Sequence, residues 1–141
     1  MTPDQKPGSQ LLRAGYSETV VTPPVGFNIT GPEHPPRPAT GVIDDLLGRV
    51  LLLDAGGARA AIVTLDVWGM SEGFASDVTG RVSTAAGVDP SLVWIGVSGN
   101  AGSPPLWENG NAEYVEYTAY VPQQLGGAAA LAADRMQNAE L

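Results

Sequence analysis

The sequence predicts an α/β domain built on a mixed β-sheet, in which an antiparallel hairpin is followed by a βαβ unit and a C-terminal helix. Two apolar runs flank a Gly-Gly pair between residues 47 and 66, and a segment of helical periodicity lies between apolar runs from residue 60 to residue 97. The first pattern is typical of a hairpin and the second of a strand–helix–strand crossover. We therefore expect a single domain over residues 13–141, preceded by a disordered lead at residues 1–12.

The strands are predicted from their content of Leu, Val and Ile. Gly15–Val21 is the candidate first strand, and Pro23 follows it directly. Leu47–Asp54 and Ala60–Asp66 flank the turn sequence DAGGA and are expected to pair antiparallel. Leu92–Val97 is apolar throughout, which is typical of a strand that is covered on both faces.

Two helices are predicted. Ser71 is expected to cap a helix that runs to about Ala86, and Gly87 is expected to end it in the left-handed conformation. Its buried face has apolar residues four positions apart, namely Phe74, Val78 and Val82. The second helix is predicted over Ala112–Asn138, and Pro122 is expected to kink or split it, because proline lacks the amide hydrogen and clashes with the preceding turn.

The connection at residues 23–41 is predicted to be a long loop. It contains six prolines and three glycines in nineteen residues. Loops of this length in a compact domain are usually functional or partly mobile.

Charge and composition exclude several classes of partner. The 141 residues include seven Lys or Arg and fifteen Asp or Glu, for a net charge of −8. Such a surface repels phosphate backbones and anionic lipid headgroups, so no nucleic acid is expected as a partner. Apolar runs such as Val50–Leu53 are far too short to be transmembrane segments, and residues 1–10 lack the apolar core of a signal peptide. The expected location is therefore cytoplasmic.

Polar side chains follow two strands that are expected to be neighbours. Ligands of α/β sheets gather at the carboxyl ends of parallel strands, which here are Asp66 and the run SGNAGSP at residues 98–104. Asp66 is expected to face a crevice that is floored by Ser98, Asn100 and Ser103, and these four are the candidate ligand-binding residues. The alternatives are that Asp66 caps a helix or turn and that residues 98–104 form an ordinary loop.

Other familiar sites are not predicted. The glycines of residues 96–102 recur at every third position after a strand, but no lysine accompanies them and Pro104-Pro105 prevents a helix from starting there, which excludes a phosphate-binding loop. The single histidine, His34, is interpreted as a solvated loop residue, and the chain has no cysteine. No strand-to-helix elbow presents a nucleophilic serine. No catalytic residue and no metal ligand is predicted.

Several stretches resemble the neutral, non-lysosomal ceramidase family. AGYSETVVTPPVG (14–26) resembles the family's opening motif G-x-(A/S)-(D/E)-I-T-P-P-x-G. ATGVIDDLLGRVLLLDAGGARAAIVTLDVWGM (39–70) resembles its motif G-I-H-D-x-L-x-x-R-A-L-V-L-D, followed by S-L-D-L-x-G. LVWIG (92–96) and NAEL (138–141) continue the resemblance, which covers residues 13–141 and implies the first part of the family's N-terminal domain.

The resemblance implies a zinc hydrolase fold without its metal ligands. Family members hydrolyse the amide bond of ceramide with a zinc-bound water, and part of the zinc site lies in the motif T-H-T-H-S-G-P. This chain has Gly99 and Ala101 at the two histidine positions, and Ile43 stands at the histidine of G-I-H-D. None of these side chains carries a metal-binding atom, so no zinc or other cofactor is expected. Asp66 and Arg49 do match the family's strand-end aspartate and its arginine.

Three hypotheses about function follow. The one we favour is a degenerate or truncated ceramidase-like domain that binds a lipid-like or amide ligand, or a partner, without catalysis. A second is part of a longer or split zinc amidohydrolase whose other segments supply the ligands, since the sequence stops at Glu140-Leu141, where the family continues into a strand. A third is an assembly protein, because an incomplete sheet leaves an unpaired edge that can pair with a second copy or a partner chain.

Overall fold

A computed structural model of the chain describes residues 11–30, 34–107 and 112–140, so that most of the expected lead at 1–12 lies outside the described residues. The strands are β1 (Leu12–Val20), β2 (Leu47–Ala55), β3 (Ala58–Leu65), β4 (Val93–Val97) and β5 (Gln137–Asn138). The two α-helices of the described residues are α1 (Glu72–Ala86) and α2 (Ala112–Asp134), and a short 3-10 turn, Pro90–Leu92, precedes β4.

The strands form one five-stranded sheet in the order β4-β3-β2-β1-β5. The pair β3–β4 is parallel and the other pairs are antiparallel. The β2–β3 turn is formed by Gly56 and Gly57, whose φ angles of 64° and 94° lie where glycine is favoured. The predicted α/β class is confirmed, with its hairpin, its βαβ unit and its C-terminal helix.

Both helices pack on one face of the sheet, which we call the helix-covered face. The strand residues that point toward the helices are buried, among them Val50, Leu52, Val63 and Leu65. Helix α1 begins and ends as predicted. The Ser71 hydroxyl accepts a hydrogen bond from the Phe74 amide, and Gly87 ends the helix with a φ of 65°.

The opposite face, which we call the open face, is covered by neither α1 nor α2. A row of four apolar side chains crosses it in register, from Tyr16 through Leu51 and Ile62 to Trp94. Trp94 is 62% exposed and Tyr16 is 47% exposed. The prediction that Leu92–Val97 is covered on both faces is therefore wrong, because both helices of the described residues lie on the other side.

Helix α2 differs from its prediction at two points. It runs without a break through Pro122, so the predicted split does not occur. Proline removes one backbone hydrogen bond, whereas the buried face that includes Val121 and Leu125 keeps its packing on both sides of it. The helix ends at Asp134 rather than Asn138, because β5 leaves it to pair with β1. Neither helix has the length and apolar content that crossing a bilayer requires.

Candidate functional site

The loops that follow β3 and β4 are joined to each other. The amides of Gly99 and Asn100 donate hydrogen bonds to the Val67 carbonyl, at 3.0 and 3.3 Å. The buried Ser103 hydroxyl accepts a hydrogen bond from the Trp68 amide and donates one to the Asn100 carbonyl, both at 2.8 Å. The two strand-end loops therefore meet as the βαβ unit predicts, and Ser103 is the residue that ties them together.

The four predicted site residues are placed in four different surroundings. Ser103 is buried in the loop junction. Ser98 is exposed directly after β4, and its amide donates to the Leu65 carbonyl at 3.0 Å. Asn100 lies at the surface of the loop, where its Oδ1 accepts a hydrogen bond from the Gly102 amide at 2.9 Å.

Asp66 lies with Arg49 rather than with the loop after β4. Its Oδ2 is 3.1 Å from a guanidinium nitrogen of Arg49, and the same oxygen accepts a hydrogen bond from the Leu47 amide at 3.2 Å. The hydrogen bond to Asp66 raises the pKa of Arg49. Glu18 approaches the guanidinium from the other side, at 3.8 Å. Asp66 thus joins the end of β3 to the start of β2 through its contacts with Leu47 and Arg49. Asp66 and Arg49, the two residues that match the ceramidase pattern, therefore contact each other.

A groove of about 470 Å³ lies between the Pro-rich loop and the loop after β4. Thr40 and Arg37 line one wall, and Asn100 lines the other. Of the four predicted site residues, Asn100 alone lines this groove. Its rim includes the exposed apolar side chains of Val42 and Ile43, the latter 99% exposed, beside the exposed charged side chains of Arg37 and Asp44. A groove that combines apolar and polar side chains suits an amphipathic small molecule.

The Pro-rich wall of the groove is anchored on α2. Phe27 is buried against the rings of Tyr114 and Tyr117, with centroid distances of 4.9 and 5.1 Å. The Tyr117 hydroxyl donates to the Val21 carbonyl at 2.5 Å, and the Tyr114 hydroxyl lies 2.6 Å from the Asn28 carbonyl. Burial raises the pKa of both phenols. The expected loop is thus folded onto the helix, and the sequence reasoning missed its anchors, although one aromatic in the loop and two on the helix were a signal for them.

A wider depression of about 850 Å³ runs between α1 and α2. It is lined largely by small residues such as Gly73, Gly80 and Gly126. Its charged pair, Asp77 and Arg81, is joined by a 2.9 Å contact. The groove at the strand ends is therefore the better candidate site, because it combines exposed apolar side chains with polar groups from two loops.

The donor set of the described residues does not fit a zinc ion. No three His, Cys, Asp or Glu side chains in this part of the chain come together as metal ligands. His34 is exposed in the Pro-rich loop. Gly99, with a φ of 73°, and Ala101 are exposed beside the groove and offer no donor atoms.

Solved structures that share this fold include two ceramidases. Neutral ceramidase from Pseudomonas aeruginosa superposes with a TM-score of 0.75 at 15% identity, over 93% of this chain and 23% of that chain. A ceramidase complexed with C2 superposes with a TM-score of 0.70 at 14% identity, over 92% of this chain and 22% of that chain. No family model matches the sequence, and no curated protein matches it significantly.

These matches concern the fold, because the identities are low. The chain spans less than a quarter of the length of either ceramidase, 23% and 22%. Its structural neighbours are neutral ceramidases, and its fold is ceramidase-like over nearly all of its own length.

Proposed function

We propose that this chain is a ceramidase-like pseudoenzyme segment that binds an N-acylated, lipid-like ligand in the groove and does not hydrolyse it by itself. The observation that carries the proposal is the fold shared with neutral ceramidase at a TM-score of 0.75. The name of that protein indicates ceramide, an N-acylated sphingoid base, as the ligand class. Sphingolipid metabolism is the setting that this ligand class implies.

The chemistry of the groove supports such a ligand. The exposed Ile43 and Val42 at the rim offer an apolar track for an acyl chain, and burying each methylene of that chain contributes about 0.8 kcal/mol. Asn100 and Thr40 provide side-chain donors and acceptors for an amide group. The hydrogen bond from the Gly102 amide holds the Asn100 side chain in place. A preformed polar contact of this kind sets the position of an amide within the groove.

The absence of hydrolysis follows from coordination chemistry. A catalytic zinc needs about three protein ligands, which lower the pKa of a bound water to about 7. The chain has one histidine and no cysteine, and the three positions that match family histidines hold Gly99, Ala101 and Ile43. No step of the reaction is therefore assigned to residues of this chain.

A second candidate function is one part of a longer or split amidohydrolase. The observation that favours it is that this fold makes up only 23% of the neutral ceramidase to which it is similar. In that case other segments would supply the side chains that bind zinc. The chain described here would contribute residues that bind the substrate.

Binding is tested with a fluorescent N-acylsphingosine analogue titrated in mixed micelles. We expect saturable binding by the wild type. Ile43→Asp should weaken it at least tenfold, which corresponds to about 1.4 kcal/mol. Asn100→Ala should weaken it less. Leu131→Asp is the matched control, because Leu131 is an exposed apolar residue on α2, away from the groove. Equal loss in Leu131→Asp and Ile43→Asp, or no saturable binding, would contradict the proposal.

Catalysis is tested by amide hydrolysis with and without added zinc, alongside metal analysis. The wild type should show no turnover and no stoichiometric zinc. Ala101→His is the informative restoring variant, because histidine at Gly99 would be forced into the left-handed region at a cost of about 1–2 kcal/mol. We expect no turnover from Ala101→His either, since further ligands are needed. One tightly held zinc per wild-type chain, or zinc-dependent turnover, would refute the proposal.

A further inference from the structure

The open face of the sheet has the composition of a buried surface. Its central row consists of Tyr16, Leu51, Ile62 and Trp94, one residue from each of four adjacent strands. The strand register places further apolar side chains on this face. Leu53 and Ala60 lie beside the central row on one side, and Val20 and Leu47 lie on the other side, beyond the row that contains Glu18 and Arg49. Antiparallel pairs dominate this sheet, and a water-facing side of such a sheet is usually polar, so a largely apolar outer side lacks the layer that its composition favours.

The charged triad on the open face is close to neutral. Arg49 lies 3.1 Å from Asp66 and 3.8 Å from Glu18, so this triad carries a net charge of −1. The whole chain carries −8. Most of the acidic excess therefore lies elsewhere, and two copies that approach through this face keep that excess apart.

The area of the open face is that of a protein–protein interface. Four strands about 4.8 Å apart, with an average length of about eight residues at about 3.3 Å per residue, cover a projected area of about 500 Å². Side-chain relief raises the accessible area above the projected one. A stable interface buries about 800 Å² on each partner, which is the same scale.

The order of the strands makes the face complementary to itself. A two-fold axis that runs along the strands, between β2 and β3, places β4 of one copy over β1 of the other. Trp94 then lies over Tyr16 of the partner subunit, so that the two most exposed aromatic side chains of the row cover each other. In the neighbouring row, which runs Glu18, Arg49, Thr64 and Gly96, Arg49 lies over Thr64 of the partner subunit, and no like charges oppose.

We propose that the open face is the interface of a homodimer, in which two copies pack sheet against sheet with β4 over β1. Pairing through the unpaired edge of β4 is the alternative suggested by the incomplete sheet. That edge is five residues long, and short edge strands are poor templates for pairing. The face offers a larger and more apolar surface than the edge.

The test is sedimentation equilibrium of the full 141-residue chain, from low micromolar to submillimolar concentration. The wild type should dimerise. Trp94→Glu and Thr64→Lys should each raise the dimer dissociation constant at least tenfold, because each places a charge within the interface. Leu131→Glu is the matched control on the outer side of α2 and should leave the constant within about twofold. Circular dichroism verifies that each variant is folded, and Thr64 and Trp94 are both exposed, so folding does not depend on either.

Three outcomes would overturn the proposal. A wild-type monomer at every concentration excludes the homodimer. A dimer that survives both Trp94→Glu and Thr64→Lys uses another surface, such as the edge of β4. Equal weakening by Leu131→Glu indicates non-specific association. All of these are independent of ligand binding in the groove, so the homodimer and the proposed function can fail separately.

Discussion

The two faces of the sheet are formed by the same strands, and yet the side chains on one face are buried under the helices whereas those on the other face are partly exposed. In β2, Leu52 is fully buried under the helices, whereas its neighbours Leu51 and Leu53 are only partly buried on the open face. Charged pairs follow the same division. Asp54 and Arg59 bind each other on the helix-covered face, and Asp66 and Arg49 bind each other on the open face. Apolar composition alone therefore does not tell which face of a strand is covered.

The largest difference is expected between adjacent leucines. Leu52→Ala should lower the free energy of unfolding by about 3 kcal/mol, because it leaves a cavity under α2. Leu51→Ala should lower it by about 1 kcal/mol, because Leu51 is still partly in contact with water. Urea denaturation at concentrations where the monomer prevails measures both values. Equal losses would mean that the open face is covered in the monomer.

A smaller difference is expected between two strand glycines. A Cβ on Gly15 would lie 2.0 Å from the carbonyl oxygen of Ala132, so helix and strand would have to separate. Gly15→Ala should therefore destabilise the fold by about 2 kcal/mol or more. Gly96→Ala places its methyl on the open face with nothing within 4 Å, and should change stability by no more than about 0.5 kcal/mol. A tolerated Gly15→Ala in thermal melts would argue against close packing of α2 on β1.

The next comparison concerns two phenol groups. Tyr117→Phe leaves the Val21 carbonyl without its donor and should cost about 1.5 kcal/mol. Tyr16→Phe loses an exposed hydrogen bond to Glu18 and should cost less than about 0.5 kcal/mol. Burial raises the pKa of Tyr117 above the ordinary 10.0, so its contribution is present below pH 10 and is lost as the pH rises further. Unfolding free energies measured on either side of pH 10 test this, and an unchanged difference between wild type and Tyr117→Phe would contradict it.

The smallest difference is expected between the two ion pairs. The side chain of Asp54 is 13% exposed and accepts a hydrogen bond from the Gly57 amide. This hydrogen bond, together with the nearby Arg59 guanidinium, holds the pKa of Asp54 below the ordinary 3.8. Asp54→Asn should cost about 1 kcal/mol at neutral pH. That contribution is present above pH 3.8 and is lost as the pH falls through the lowered pKa.

Asp66→Asn is the open-face counterpart of Asp54→Asn. The Asp66 side chain is 29% exposed, so its pair with Arg49 should contribute about 0.5 kcal/mol and weaken more in high salt. Denaturation at two salt concentrations separates the two pairs. A salt dependence that is larger for Asp54→Asn than for Asp66→Asn would contradict the greater exposure of the Asp66 pair.

Local rules in the sequence were sufficient for some elements. The two ends of α1 could be predicted from Ser71 and Gly87, because capping depends on residues within one turn of the helix end. The DAGGA turn was predictable for the same reason, since Gly56 and Gly57 adopt angles that other residues rarely reach. These features need no knowledge of the rest of the molecule.

Features that depend on distant residues could not be predicted. To predict the open face, one would have to know that both helices pack on one side of the sheet. To predict the end of α2, one would have to know that β5 returns to pair with β1. Asp66 follows a strand as a ligand-binding residue would, but Arg49, its partner, lies seventeen positions earlier in the sequence. Asn100 was predicted from its place after β4, whereas its companions Thr40 and Arg37 come from a loop whose position depends on α2.

The pairing of β5 with β1 places the first and last strands of the described residues next to each other. The Ala139 amide donates a hydrogen bond to the Leu12 carbonyl at 2.9 Å, so the backbone enters and leaves the fold at one point. A polypeptide can therefore carry such a unit as an insertion, because the residues on either side need not be spread apart. Force applied at these two points would peel β5 from β1 one hydrogen bond at a time rather than shear the central strands, which would make this edge the first part of the sheet to open.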